Sequence, residues 1–276
     1  MGSGHDQLSR RGRSLGRYLR SLRRFWGTAL AGQLEYQANA GIDLLAMAAS
    51  LAGSLLLLQL FYRQGLALGG WSWPAAQVVL GAYTVLDGLT STVLRPNLSR
   101  IVQHVQEGTL DFVLLKPIDS QFWLSLRTVS PSGLPEIALG LGLMGWGALQ
   151  ERGALAPGDL LAAALLLLSS ALILYALWFV VAASAIWFVK TWNATEVLRT
   201  ALSAGRYPIS AYPPALRLLF TVVLPVAFLT TVPAEALLGR LLLPWALASL
   251  AVAALALAIS RAFWRFALRF YTSASS

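Results

Sequence analysis

The chain has 276 residues, of which 57% are hydrophobic and only 12% charged, and its mean hydropathy is +0.64; soluble domains carry about 25% charged residues, so the composition places this chain in a membrane. Its 21 basic and 12 acidic residues give a net charge of +9, which in general fits nucleic acid or anionic lipid, and in a membrane context fits lipid and topology. The absence of cysteine excludes disulfides, thiolate zinc sites and cysteine nucleophiles together.

Residues 1–13 read as a disordered, basic leader. Over residues 14–34, Leu15, Leu19, Leu22, Trp26 and Leu30 recur every three or four positions, while Arg13, Arg17, Arg20 and Arg24 form a second stripe. That pattern predicts an amphipathic interfacial helix lying in the membrane plane, its arginines worth about 1 kcal/mol each among anionic headgroups. No cleaved signal is expected, because no small-residue cleavage site follows a short apolar core. Residues 35–276 then read as one transmembrane domain.

The first predicted span, 40–62, is interrupted only by Asp43 and matches the roughly 20 residues that a bilayer core requires. Trp71 and Trp73 suit an interfacial aromatic belt. The second span, 76–94, carries Asp87 in an otherwise uncharged run. A polar loop follows at 95–121. There Ile101, Val102, Val105, Leu110, Val113 and Leu114 interrupt the charges of Arg100, Glu107, Asp111 and Lys116, which predicts a short amphipathic helix and a turn bounded by glycine and proline. In the third span, 122–149, Pro131 and Pro135 either kink the helix or split it in two. The fourth, 160–189, is the longest and least polar.

A second polar loop, 190–217, ends in the proline-punctuated stretch Tyr207 to Pro214. The fifth span, 218–232, is barely long enough and contains Pro225; beyond it, Pro233 to Gly239 forms either a short helix at the far surface or a re-entrant excursion. The sixth span is 241–259. From Ser260 onward, Arg261, Arg265 and Arg269 alternate with Phe263, Trp264, Phe266 and Phe270, which predicts another interfacial helix. The fold expected is therefore an all-α polytopic bundle of six transmembrane helices. Of its 21 Lys and Arg residues, 18 fall on the side that holds both termini and both polar loops, so that side is expected to be cytoplasmic.

No Gly-x4-Gly-Lys-Ser/Thr occurs, and Lys190-Thr191 lacks the preceding glycines, so no phosphate-binding loop is present in the sequence. Gly140-Leu141-Gly142-Leu143-Met144-Gly145 matches a dinucleotide fingerprint but lies inside an apolar span. With Gly147, these glycines suit close approach of another helix. His5 and His104 are too few for a metal site or a hydrolase triad. Asn97-Leu98-Ser99 and Asn193-Ala194-Thr195 match glycosylation acceptors, yet both face the cytoplasm in this topology and are chance matches. An acid at a helix centre costs about 2.5 to 3.5 kcal/mol on insertion. Asp87 and Glu136 therefore either line a polar pathway or bind substrate, or else hydrogen-bond Thr84, Thr90 or Ser132 between helices.

Gln106-Glu107-Gly108-Thr109-Leu110-Asp111-Phe112-Val113-Leu114-Leu115-Lys116-Pro117 resembles the Gly-x-Leu-Asp-x-x-Leu-x-Lys-Pro signature of permease subunits of type-2 ABC exporters. It resembles in particular the bacterial six-span subfamily sometimes labelled viologen or multidrug exporters. Tyr207-Pro208-Ile209 through Pro213-Pro214, then Leu224-Pro225-Val226-Ala227-Phe228 with Pro233-Ala234 and Leu237-Leu238-Gly239, extend the resemblance over most of the chain from Arg95 onward.

This resemblance implies an N-terminal interfacial helix, six spans, and a cytoplasmic coupling helix between spans two and three that docks on an ABC ATPase subunit. It implies two copies of that ATPase, a second permease identical or homologous to this one, a lipid membrane, and no nucleic acid. The location implied is the bacterial cytoplasmic membrane. ATP and Mg would sit on the ATPase, with no cofactor on this chain. Carried onto matching positions, Glu107, Gly108, Asp111 and Lys116 become coupling residues, with Arg100, His104 and Pro117 completing the interface. The function implied is ATP-driven export of an amphiphilic or lipid-like substrate. Two rivals stay open: a proton-coupled secondary transporter using Asp87 and Glu136, weakened by the lack of a visible inverted repeat, and a non-transporting scaffold, which would not need acids within its spans.

Overall fold

The computed structural model describes residues 37–65, 68–188 and 191–271. The leader at 1–13 and the interfacial helix expected at 14–34 lie outside the described residues. Every regular element among the described residues is a helix, the arrangement a segment must adopt when no water is at hand for its backbone groups. Among the described residues, four helices are long and apolar enough to cross a membrane, or five if one bent pair is a single span.

Helix α1, Gln37–Arg63, keeps most of its apolar surface exposed and buries Ser54 and Leu58. Helix α2, Trp73–Leu89, starts where the Ser72 hydroxyl accepts the Ala75 N–H at 3.2 Å and Pro74 occupies the first turn. A π turn at Thr90–Leu94 carries it without interruption into α3, Arg95–Gln106, and Trp73–Gln106 forms one continuous 34-residue helix. The boundary expected at residue 94 is thus absent, and the first half of the polar loop is a helical extension of the second span. The reason lies at Pro96, which cannot donate to the Thr92 carbonyl. The π turn widens the helix at this point, with Arg95 N–H reaching Thr90 O, and the Ser130 N–H takes the freed Thr92 carbonyl at 2.8 Å.

After α4, Asp111–Leu114, helix α5, Ser120–Leu126, is separated from α6, Leu134–Arg152, by an irregular stretch and a 3-10 turn at Pro131–Gly133. The third predicted span is therefore split, not kinked. Pro131 and Pro135 each lie in the first turn of a helical segment, where a missing N–H costs nothing. Buried Asn97 pins the linker, donating to Thr128 O at 2.6 Å and accepting the Thr128 N–H at 2.8 Å. Its glycosylation-like sequon is occupied by this structural role.

Helix α7, Pro157–Ala183, buries Leu166, Ile173 and Phe179 in the core and leaves Leu161, Leu165 and Leu168 exposed. Beyond α8, Thr191–Leu202, the chain reaches α9, Pro214–Leu218, which continues through a π turn at Leu219–Val223. A second π turn, Ala227–Thr231, leads into α10, Val232–Leu237. The two halves meet at 78° across Pro225; Leu224 takes the extended conformation that a following proline imposes. Nearly every residue from Val226 to Leu238 is buried, so the short helix at Val232–Leu237 is packed within the bundle, and Gly239 beyond it is exposed. Helix α11, Leu243–Ala267, continues past Ser260, so the first part of the tail belongs to the last span. Ser260, Trp264 and Ala267 bury one face of that extension.

Two contacts organise the bundle. Glycines set the first: α2 and α6 approach so closely that a Cβ at Gly140 would stand 2.8 Å from Gly81 O, and one at Gly147 would stand 2.6 Å from Pro74 O. Gly142 and Gly145 have nothing within 4 Å, so only part of the glycine run serves this contact. Hydroxyls mark the second: Ser170 donates to Phe228 O at 2.8 Å, and Ser169 meets the Ser249 hydroxyl at 3.0 Å, joining α7 to α10's approach segment and to α11. At the end away from the polar loops, Glu151 accepts from Ser72 and Arg240, and Arg152 pairs with Asp159.

Candidate functional site

Leu98 and Ile101 bury one face of α3, while Arg100, Gln103 and Gln106 face outward. The helix ends at a reversal in which Thr109 N–H reaches back to His104 O at 2.9 Å and Gly108 N–H to Val105 O at 3.3 Å. Gly108 sits at φ 65°, a conformation that a side chain at this position would strain. The short α4 then divides its apolar residues. Leu110 and Val113 are fully buried, whereas Phe112 is 69% and Leu115 81% exposed, beside the exposed Leu114, Lys116 and Pro117. Large apolar side chains grouped at an exposed tip, rimmed by charges, mark a surface that something covers.

The seven residues singled out in this segment have different surroundings. Arg100 is exposed, and Glu107 is exposed while accepting from Gln103 Nε2 at 2.7 Å. Asp111 opens α4 half-buried, and Pro117 is exposed after it. His104 points inward: its Nδ1 lies 2.8 Å from Thr109 Oγ1, and its ring is 6.1 Å from that of Trp123. Lys116 Nζ stands 5.3 Å above the same indole, with the Arg127 guanidinium at 4.5 Å. Trp123, itself buried, is a platform for cations, each contact worth about 0.5–1 kcal/mol where exposed. The structure thus gathers His104, Lys116 and Arg127 around one ring, with Arg100 and Glu107 exposed nearby and within electrostatic reach of His104.

Asp119 anchors this segment to the bundle. Its carboxylate caps α5 by accepting the Phe122 N–H at 2.9 Å and binds both terminal nitrogens of Arg261 on α11, one of them at 3.0 Å. Arg261 also donates to Gln121 Oε1 at 3.1 Å; Gln121 in turn donates to Ser260 Oγ at 3.1 Å and to the Tyr175 hydroxyl on α7 at 3.2 Å. Trp264 Nε1 donates to Ser120 Oγ at 3.0 Å. Sequence reading missed Phe112, Leu115, Trp123, Asp119 and Gln121. Of these, only Asp119 had a local signal, an acid directly ahead of an apolar-periodic segment.

Burial alone would raise the Asp119 carboxyl, but the hydrogen bonds from Arg261 and from backbone N–H groups outweigh it and hold the group below its ordinary 3.8. A depressed carboxyl contributes stability that is complete above its unfolded value and is lost as pH falls through the folded one. The thermal midpoint of the chain is therefore expected to hold steady from pH 7 down to about 5 and to fall below about pH 4. Asp119→Asn is expected to lower the midpoint at pH 7 and to flatten that acid limb; a variant with an unaltered acid limb refutes the role.

Asp87 and Glu136 lie elsewhere. Both line a cavity of about 610 Å³ between α1, α2 and the start of α6, in company with Arg95, Arg199 and Arg206. The hydroxyls expected to satisfy them are used otherwise: Thr84 and Thr90 each donate to a carbonyl of their own helix at 2.8 Å, and Ser132 meets Ser130 at 2.8 Å.

A family model described as ABC-2 family transporter protein matches residues 48–275. The chain belongs to the ABC-2 transporter family. No curated protein matches it. Permeases of the ABC-2 family are in general non-enzymatic membrane subunits of ABC transporters and usually work with an ABC ATPase. The described segments of this ABC-2 permease fit a multi-pass membrane protein. The matched range contains the α3–α5 segment, its anchorage on α7 and α11, and every charged residue of the cavity.

Proposed function

We propose that this chain is the membrane-spanning half of an ATP-driven exporter of amphiphilic or lipid-like molecules. In this reading it has six spans, with α5 and α6 together making the third and the α9–α10 pair the fifth, and both termini are cytoplasmic in a bacterial cytoplasmic membrane. The α3–α5 segment is the coupling element, docking on one of two ATPase subunits that hold ATP and Mg, and a second permease completes the pathway. The observation that supports this most is the exposed apolar tip of Phe112 and Leu115, set on an element that is hydrogen-bonded through Asp119 and Gln121 to α7 and α11. A partner that grips the tip can pull directly on two long helices. Coupling needs such a shared element between two sites.

Co-expressing the chain with the products of its neighbouring genes, purifying through a tag on the permease and asking whether an ABC ATPase co-elutes tests the proposal. A stable complex with ATP-dependent transport is expected. A chain that purifies alone and transports without any ATPase overturns it and supports the proton-coupled alternative, which the unpaired carboxylate oxygen of Glu136 in the cavity would serve.

A further inference from the structure

The cavity beside α1 holds charges of both signs that the protein does not pair with one another. Asp87 and Glu136 line it together with Arg95, Arg199 and Arg206, and Asp87, Arg95 and Arg199 are all within electrostatic reach of Glu136. Among the described residues the ion pairs are Arg152 with Asp159, Arg240 with Glu151 and Arg261 with Asp119, and none includes a cavity residue. Ser91 hydrogen-bonds the Glu136 carboxylate, but Glu136 Oε2 and Arg206 Nε are both buried with no hydrogen-bond partner among the described residues. Arg206 is held in place, its guanidinium 5.0 Å above the Tyr83 ring and its Nη1 3.3 Å from Ser54 Oγ. Charged groups left so in a membrane protein face a water-filled path or a ligand, because an unpaired charge away from bulk water is costly.

The mixture of signs restricts the ligand. A purely cationic head would meet three arginines, and a purely anionic head would meet two carboxylates. A head carrying both charges satisfies each side. An ammonium supplies N–H donors to Asp87 and Glu136, while a phosphate or carboxylate takes the forked donors of Arg95 and Arg199. Apolar surface adjoins the charges. A smaller cavity shares Asp87, Glu136 and Arg206 and is walled by Met47, Leu51 and Leu80; another shares Asp87 and Arg199 and is walled by Leu86, Leu174 and Leu229. On its α1 side the wall comprises Ala46, Met47 and Ser50, from a helix whose neighbouring Leu44 and Leu45 are 48% and 72% exposed. That wall is thin and weakly packed, so acyl chains can stay in the bilayer while the head enters beside α1.

We infer that this cavity is the binding site for the headgroup of a zwitterionic amphiphile, one whose head bears a protonated amine together with a phosphate or carboxylate. The assignment rests on the exporter reading for its consequence, loading from the cytoplasmic leaflet, but binding itself is testable separately. The full chain, purified with its ATPase and placed in nanodiscs of equal phosphatidylethanolamine and phosphatidylglycerol, is extracted into mild detergent, and the retained lipid is counted by native mass spectrometry. Phosphatidylethanolamine is expected to be retained about 10-fold over phosphatidylglycerol, the ratio that 1.4 kcal/mol supplies.

Asp87→Asn with Glu136→Gln is expected to abolish that preference. Arg199→Gln is expected to reduce retention of both lipids several-fold, and Arg199→Lys to restore most of it. Co-elution of the ATPase with each variant shows that the fold persists, and its failure with the unaltered chain counts against the exporter reading alone. Equal retention of the two lipids by the unaltered chain overturns the inference, as does a preference that survives Asp87→Asn with Glu136→Gln. Displacement by soluble glycerophosphoethanolamine as effective as by the lipid overturns the amphiphile and leaves a soluble zwitterion as the ligand.

Discussion

Replacing Gly140 by Leu is expected to break the pairing of α2 with α6, whereas replacing Gly142 by Leu, one half-turn away, is expected to leave stability within about 0.5 kcal/mol. A Cβ at Gly140 would lie 2.7 Å from Val85 N and 2.8 Å from Gly81 O, and both are backbone atoms that cannot rotate aside. The helices must then separate along a contact that Gly81, Gly88 and Gly147 also require to be close. Overpacking of this kind costs about 1–3 kcal/mol for one added group, and Leu adds four carbons, so a loss of about 3 kcal/mol or more is expected. At Gly142 a Cβ meets nothing within 4 Å. Thermal inactivation of the two variants in the same detergent checks this: a Gly142 variant as unstable as the Gly140 variant would remove the close contact as the cause.

Replacing Phe112 and Leu115 together by Ser is expected to release the ATPase while leaving the permease folded. Both side chains are mostly exposed, so the fold loses little. If they fill pockets on a partner, truncating an apolar anchor costs about 2 kcal/mol at an interface centre, enough to lower complex recovery by more than 10-fold. Glu107→Ala with Asp111→Ala is expected to have a smaller effect that grows at low salt, since rim charges steer more than they hold. Unchanged recovery of the ATPase with the Phe112 and Leu115 variant would move the docking surface away from α4. The neighbouring Val113 is a useful contrast, because it is buried and Val113→Ser should destabilise the permease itself.

Much of the architecture was legible because a bilayer imposes simple demands. An apolar run of about 20 residues has to be a helix there. The positions of α1, α2, α7 and α11 follow from such runs; the fifth span was read as a single short run containing Pro225, and the 78° bend there came only with the structure. The resemblance carried by Gly108 to Pro117 is matched by the family assignment over residues 48–275. Ends were read less well, since a helix leaving the apolar run continues as long as its backbone partners allow. Here the end expected at residue 94 is passed because Pro96 is bridged by a π turn and by Ser130.

Composition and local pattern by themselves determined that this chain is a helical membrane protein, where its main apolar runs lie, and that residues 95–121 are a polar stretch, though not that its first half continues the second span. Those properties depend on single residues meeting lipid or water. Tertiary structure alone decided that Phe112 faces out while Val113 faces in, that Lys116 rests on Trp123, and that Asp119 is joined to Arg261 across 142 positions of sequence. It also decided that Asp87 and Glu136 share a cavity with Arg95 of Asp87's own continuous helix and with Arg199 and Arg206 from a distant segment. Each of these depends on which helix becomes the neighbour of which. That choice is made by close glycine contacts and by hydrogen bonds between residues far apart in the chain, and no periodicity within one segment encodes it.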